Sequence, residues 1–80
     1  MIEAIIYSKN NCLNCQKAKN KLLKFNPKIL ILGKDISRED FVKKFPGAKQ
    51  VPQIIINQSH IGGYQELEKW LDQNSFDEDF

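Results

Sequence analysis

The 80-residue chain has two cysteines, and they lie three positions apart in Cys12-Leu13-Asn14-Cys15. Thiols at that spacing suit half of a zinc site, a redox dithiol, or no chemistry at all. Zinc asks for about four ligands, usually from two such pairs. The single histidine, His60, lies far along the chain, so zinc would need a site shared across a dimer. A bond between the two cysteines would close so small a loop that it staples little of the fold. The pair follows an apolar, strand-like run and opens a helical pattern, which favours the dithiol. A helix N-terminus presents unpaired N–H groups and about half a positive charge. A thiolate placed there is stabilised. Cys12, at the very start, is then the exposed thiolate. Cys15, one turn on and on the apolar face, is its protonated partner. Cys12 would attack a disulfide; Cys15 would attack the mixed disulfide, release the substrate and leave an intramolecular disulfide. Lys9, three residues before Cys12, is either a solvated loop lysine or a further positive charge at the same spot.

The hydropathy pattern supplies a scaffold for these residues. Residues 2–7 read as an isoleucine-rich strand and Asn10-Asn11 as a turn. Cys15, Ala18, Leu22 and Phe25 recur at spacings of three, four and three, which is one helical face. Asn26-Pro27 stops that helix. Residues 29–32 are a continuous apolar run, suited to a strand buried on both faces, and Gly33 ends it. Ser37 with Asp40 resembles a capping box, ahead of a short helix striped by Phe41, Val42 and Phe45. Residues 53–56, opened by Pro52, read as a third strand. Asn57-Gln58-Ser59 reads as a turn and His60-Ile61 as a brief fourth strand, broken by Gly62-Gly63. Tyr64, Leu67 and Leu71 define a last helix, with Trp70 beside that face. The order predicts one α/β domain over residues 1–80, with a right-handed parallel crossover first and a hairpin last. Residues 75–80 read as an acidic tail, a frayed end or a partner-docking segment.

Composition narrows the function. Two cysteines make a poor secreted disulfide framework and point to a reducing compartment. Glu3 stands where a signal peptide would be basic, and no run is long enough to span a membrane, so a cytoplasmic location is expected. Residues 1–60 hold all the basic residues but Lys69, while six of the 10 acids fall after residue 60. That asymmetry is either an electropositive surface for anionic ligands near the cysteines or a set of solvated lysines. No Gly-rich phosphate loop or interleaved aromatic–basic patch points to nucleotide or nucleic-acid binding.

Tyr7-Ser8-Lys9, Cys12-x-x-Cys15, Val51-Pro52 and His60-Ile61-Gly62-Gly63, in this order and spacing, resemble the glutaredoxin family over nearly the whole chain. Small bacterial and bacteriophage glutaredoxins are similar in length and layout. The resemblance implies a thioredoxin fold: a four-stranded mixed sheet of order 2-1-3-4 with three helices. It implies a cis Val51-Pro52 bond, where base rates alone would favour trans. It implies a monomer with no tightly bound cofactor and no metal, and glutathione as co-substrate. In that site Lys9 meets one glutathione carboxylate, and Val51 supplies backbone bonds as to an added strand. Gln50 and Pro52 line the groove, and Gly63 lets the ligand approach. Tyr64 and Gln65 offer backbone N–H groups to the other carboxylate. Implied partners are disulfide-containing proteins, with ribonucleotide reductase among the candidates.

Three departures bear on that site. Leu13 and Asn14 replace the family's usual Pro and Tyr between the cysteines. Gln50 stands where Thr is common. Gly62-Gly63-Tyr64-Gln65-Glu66 lacks the usual helix-capping side chain, so weaker glutathione binding with intact dithiol chemistry is expected. Recharging by thioredoxin reductase is an alternative, as is a binding module for a metal or iron–sulfur cluster. His60 reads as a structural or surface residue before a catalytic base, Trp70 as core or lid packing and Lys49 as solvated; Tyr64 stays open as a stacking residue.

Overall fold

The computed structural model describes residues 2–74, so the acidic segment at 75–80 lies outside the described residues. Four strands and three helices follow in the order β1 (Ala4–Ser8), α1 (Leu13–Lys21), β2 (Lys28–Ile31), α2 (Arg38–Lys44), β3 (Gln53–Ile56), β4 (Ser59–Gly62) and α3 (Tyr64–Gln73). A 3-10 turn at Leu23–Phe25 extends α1 to the left-handed Asn26, which precedes Pro27. The sheet order is β2-β1-β3-β4. β1 runs parallel to β2 and antiparallel to β3, and β4 is antiparallel to β3. This is the thioredoxin fold that the sequence implied.

Alternation along the central strands divides the core in two. Ala4 and Ile6 of β1 and Ile54 and Ile56 of β3 face one way, where they bury Ala18, Leu22 and Leu67. Tyr7 faces the other way and packs with Phe41 of α2 and with Phe45 at the C-cap of that helix; its ring meets Phe45 edge-on at 4.9 Å. α1 and α3 therefore cover one face and α2 the other. Ser37 caps α2 by accepting the Asp40 N–H at 3.0 Å. Asn57 and Gln58 both have positive φ, the backbone that a two-residue hairpin turn requires.

Three details differ from the sequence reading. β2 lies at the sheet edge, and its Ile29, Leu30 and Ile31 are half-buried, because one side of the strand has no neighbour. Val42 is half exposed; only Phe41 of α2 and Phe45 at its C-cap, spaced i, i+4, reach the core. Ser59 belongs to β4, paired with Ile56, and not to the turn.

Candidate active site

β1 delivers the chain to the dithiol. After Ser8 the backbone turns through a left-handed Asn11 (φ 57°) and sets Cys12 at the N-cap of α1. There Cys12 has extended φ, ψ of −120° and 111°. Its Sγ accepts the Cys15 N–H at 3.3 Å, the role a Ser or Asp side chain takes at other helix starts. Both thiols are free; Cys12 is half-buried and Cys15 buried, 1% exposed. Burial pushes the Cys15 thiol above its ordinary pKa, and its hydrogen bond to Cys12 adds to the rise. Hydrogen bonds from Ser8 and from the Lys9 backbone oppose it.

The Val51-Pro52 peptide is cis, and the Val51 carbonyl lies 3.9 Å from Cys12 Sγ. Val51 and Gln50 sit between two grooves. One, of about 190 Å³, is lined by Asn14, Pro52, Gly63, Tyr64, Gln65 and Glu66 as well as these two. The other, of about 220 Å³, has an apolar wall of Leu32, Phe41 and Val42 and a rim of three cations, Lys9, Arg38 and Lys49. A third depression joins Lys9, Cys12 and the 70% exposed Leu13 to Val51. The residues expected at the site, buried Cys15 apart, therefore all line grooves that share Gln50 and Val51, although 39 positions separate Cys12 from Val51.

Asn14, Arg38 and Glu66 were missed. As expected, no side chain at the N-cap Gly63 accepts the first N–H groups of α3, but Glu66 closes the same turn from the other side. Its Oε1 accepts the Gly63 N–H at 2.9 Å. A Glu three residues past the N-cap is the reciprocal half of a capping box, a signal available in the sequence. The stem of the Glu66 side chain lies against Gly62, whose φ is +122°. A Cβ added there would lie 2.8 Å from Glu66 Cγ. Gly62→Ala is thus expected to destabilise the protein by about 1–3 kcal/mol, read as a lower denaturant midpoint at unchanged slope. His60 lies on β4 with its Nε2 2.7 Å from Gln53 Oε1, and contacts neither cysteine. Among the described residues no three His, Cys, Asp or Glu side chains gather as metal ligands, and no helix is long and apolar enough to cross a membrane.

Comparison with known proteins supplies the family. Glutaredoxin 1 of Rickettsia prowazekii (strain Madrid E) is 38% identical over 69 residues, which cover 79% of this chain and 70% of that protein. Glutaredoxin 1 of Escherichia coli (strain K12) is 28% identical over 82 residues, covering 91% and 96%. The crystal structure of glutaredoxin 1 from Francisella tularensis, complexed with cacodylate, superposes with a TM-score of 0.77 at 28% identity, covering 92% of this chain and 96% of that one. The family model described as Glutaredoxin matches residues 4–61. With that match spanning most of its length, the chain belongs to the glutaredoxin family and is a thiol–disulfide oxidoreductase.

Proposed function

We propose that the chain reduces glutathione mixed disulfides and protein disulfides through Cys12 and Cys15, with glutathione as co-substrate. One observation carries this reading: the backbone of Val51 stands beside Cys12 Sγ, between a cationic rim and a helix N-terminus. An extended tripeptide with a carboxylate at each end matches that arrangement. Its cysteine sulfur would meet Cys12 and its main chain would pair with Val51. One carboxylate would lie by Lys9 and Arg38, the other at the Tyr64 and Gln65 N–H groups.

On a glutathione mixed disulfide, the Cys12 thiolate attacks the glutathione sulfur and expels the other thiolate, which takes up a proton. A second glutathione thiolate then attacks the bound glutathione sulfur, giving oxidised glutathione and free Cys12. On a protein disulfide, Cys12 forms a mixed disulfide with one protein sulfur. Cys15 attacks Cys12 Sγ, frees the reduced protein and leaves the Cys12–Cys15 disulfide, which two glutathiones reduce. Ribonucleotide reductase is a candidate protein substrate. The chain would act as a monomer in a reducing compartment such as the cytoplasm.

Glu66 favours a second reading. Its carboxylate lines the groove at the start of α3, where it repels an incoming carboxylate, so thioredoxin reductase would be the better reductant. A coupled assay on a glutathione mixed disulfide decides between them, run once with glutathione and its reductase and once with thioredoxin reductase. Turnover with glutathione upholds the main reading; turnover with thioredoxin reductase alone replaces it. Lys9→Glu is expected to raise KM for the mixed disulfide about three- to tenfold, the scale of an exposed charge contact reversed, with kcat nearly unchanged.

A further inference from the structure

Gln53 and Ser8 are the buried polar side chains among the described residues, and Gln53 is only 6% exposed. Its Nε2 donates to the Gln50 carbonyl at 2.9 Å. That contact fixes which end of the amide is which. Oε1 therefore faces His60, and His60 Nε2, 2.7 Å away, must carry the proton and donate. The exposed His60 ring is held in turn against Phe45, 4.6 Å between centroids. A chain of contacts thus runs from α2 through His60 and Gln53 to the backbone just ahead of the cis bond.

The sheet ladder between β1 and β3 starts at Tyr7 opposite Gln53, and Pro52 has no N–H to give. The Gln50–Val51 peptide therefore lies beyond the ladder and is held by a side chain. The Gln50 carbonyl and the Val51 N–H belong to one planar trans peptide and point in opposite directions. A donor that pins the carbonyl on the Gln53 side therefore aims the Val51 N–H away from it.

We infer that Gln53 and His60 are positioning residues for disulfide exchange: together they set the Gln50–Val51 peptide plane, and so the backbone edge that pairs with the substrate beside Cys12. The inference rests on the reading of Val51 as the substrate-pairing edge. It extends that reading to any extended disulfide-bearing segment, because a main-chain edge does not distinguish glutathione from a protein loop.

The test uses the whole chain with three substitutions. Gln53→Glu keeps the shape and the acceptor for His60 but sets an oxygen against the Gln50 carbonyl. His60→Ala removes the outer donor at an exposed position, and so keeps the test alive if Gln53→Glu does not fold. His60→Gln restores an N–H donor. KM and kcat are measured on a glutathione mixed disulfide, with the alkylation rate of Cys12 by iodoacetamide, a reagent too small to need the Val51 edge. Gln53→Glu and His60→Ala are expected to raise KM about three- to tenfold, the scale of one lost hydrogen bond. kcat and alkylation should stay within about twofold, and His60→Gln should bring KM back. An unchanged KM in folded Gln53→Glu or His60→Ala overturns the inference. So does a parallel fall in kcat and alkylation, which would mean a merely structural role. If the unsubstituted chain does not turn over with glutathione, the glutathione reading fails by itself. The same KM comparison on a protein disulfide with thioredoxin reductase then decides the role of Gln53 and His60.

Discussion

Cys12→Ser is expected to abolish disulfide exchange, lowering turnover on every substrate by more than about a thousandfold, as loss of a covalent nucleophile does. The substitution isolates chemistry from folding. Cys12 Sγ caps α1 by accepting the Cys15 N–H, and serine is among the preferred residues for that position. The hydroxyl can take over the same hydrogen bond, so the unfolding midpoint should hold or rise slightly. Its oxygen cannot form a mixed disulfide. Turnover and thermal unfolding measured on the same preparation check both halves. Residual turnover above a few per cent would remove Cys12 from the nucleophile's place.

The dithiol was legible because its chemistry and its local structure share one stretch of sequence. The spacing of Cys15, Ala18 and Leu22 predicts one helical face, and all three are buried. Phe25 extends the same spacing, yet it falls on the 3-10 turn and only partly joins the core; no breaker before Asn26 marks the end of α1 at Lys21. Strand order is a long-range property. The run at residues 29–32 is apolar enough for a central strand, but β1 pairs on its other side with β3, which leaves β2 at the edge. The second wall of the site was harder to read for the same reason. Nothing near Arg38 says that it will share a groove with Lys9 and Val51; the Tyr7–Phe41–Phe45 packing that draws α2 onto that face decides it. The implied cis bond came from family resemblance, since residue preference alone argues for trans.

Cys15→Ser separates the two activities, and this is the second large effect. Turnover on glutathione mixed disulfides needs one cysteine and an external thiol, so it should persist within a few-fold of the unsubstituted chain. Reduction of protein disulfides needs Cys15 to resolve the intermediate, so it should vanish, with the substrate trapped on Cys12 as a band lost on reduction. Serine fits the space, and Ser8 and the Lys9 backbone already offer hydrogen bonds there. The pH dependence follows from the same burial. Cys15 is held above its ordinary pKa, mainly by desolvation, so its thiolate is scarce at neutral pH. In single turnovers of the unsubstituted chain the resolving step should speed up about tenfold per pH unit, and the climb should continue past the pH where an ordinary thiol levels off. The mixed-disulfide reaction should lack that limb. Stability has the opposite sign. A raised acid pKa favours the folded state while the thiol stays protonated, so its contribution is full below the unfolded pKa and is lost as pH rises through the folded one. Cys15→Ser should remove that alkaline loss together with protein-disulfide reduction. If it removed mixed-disulfide turnover as well, the roles of the two cysteines would have to be exchanged, because the residue that remains would no longer be the one that attacks.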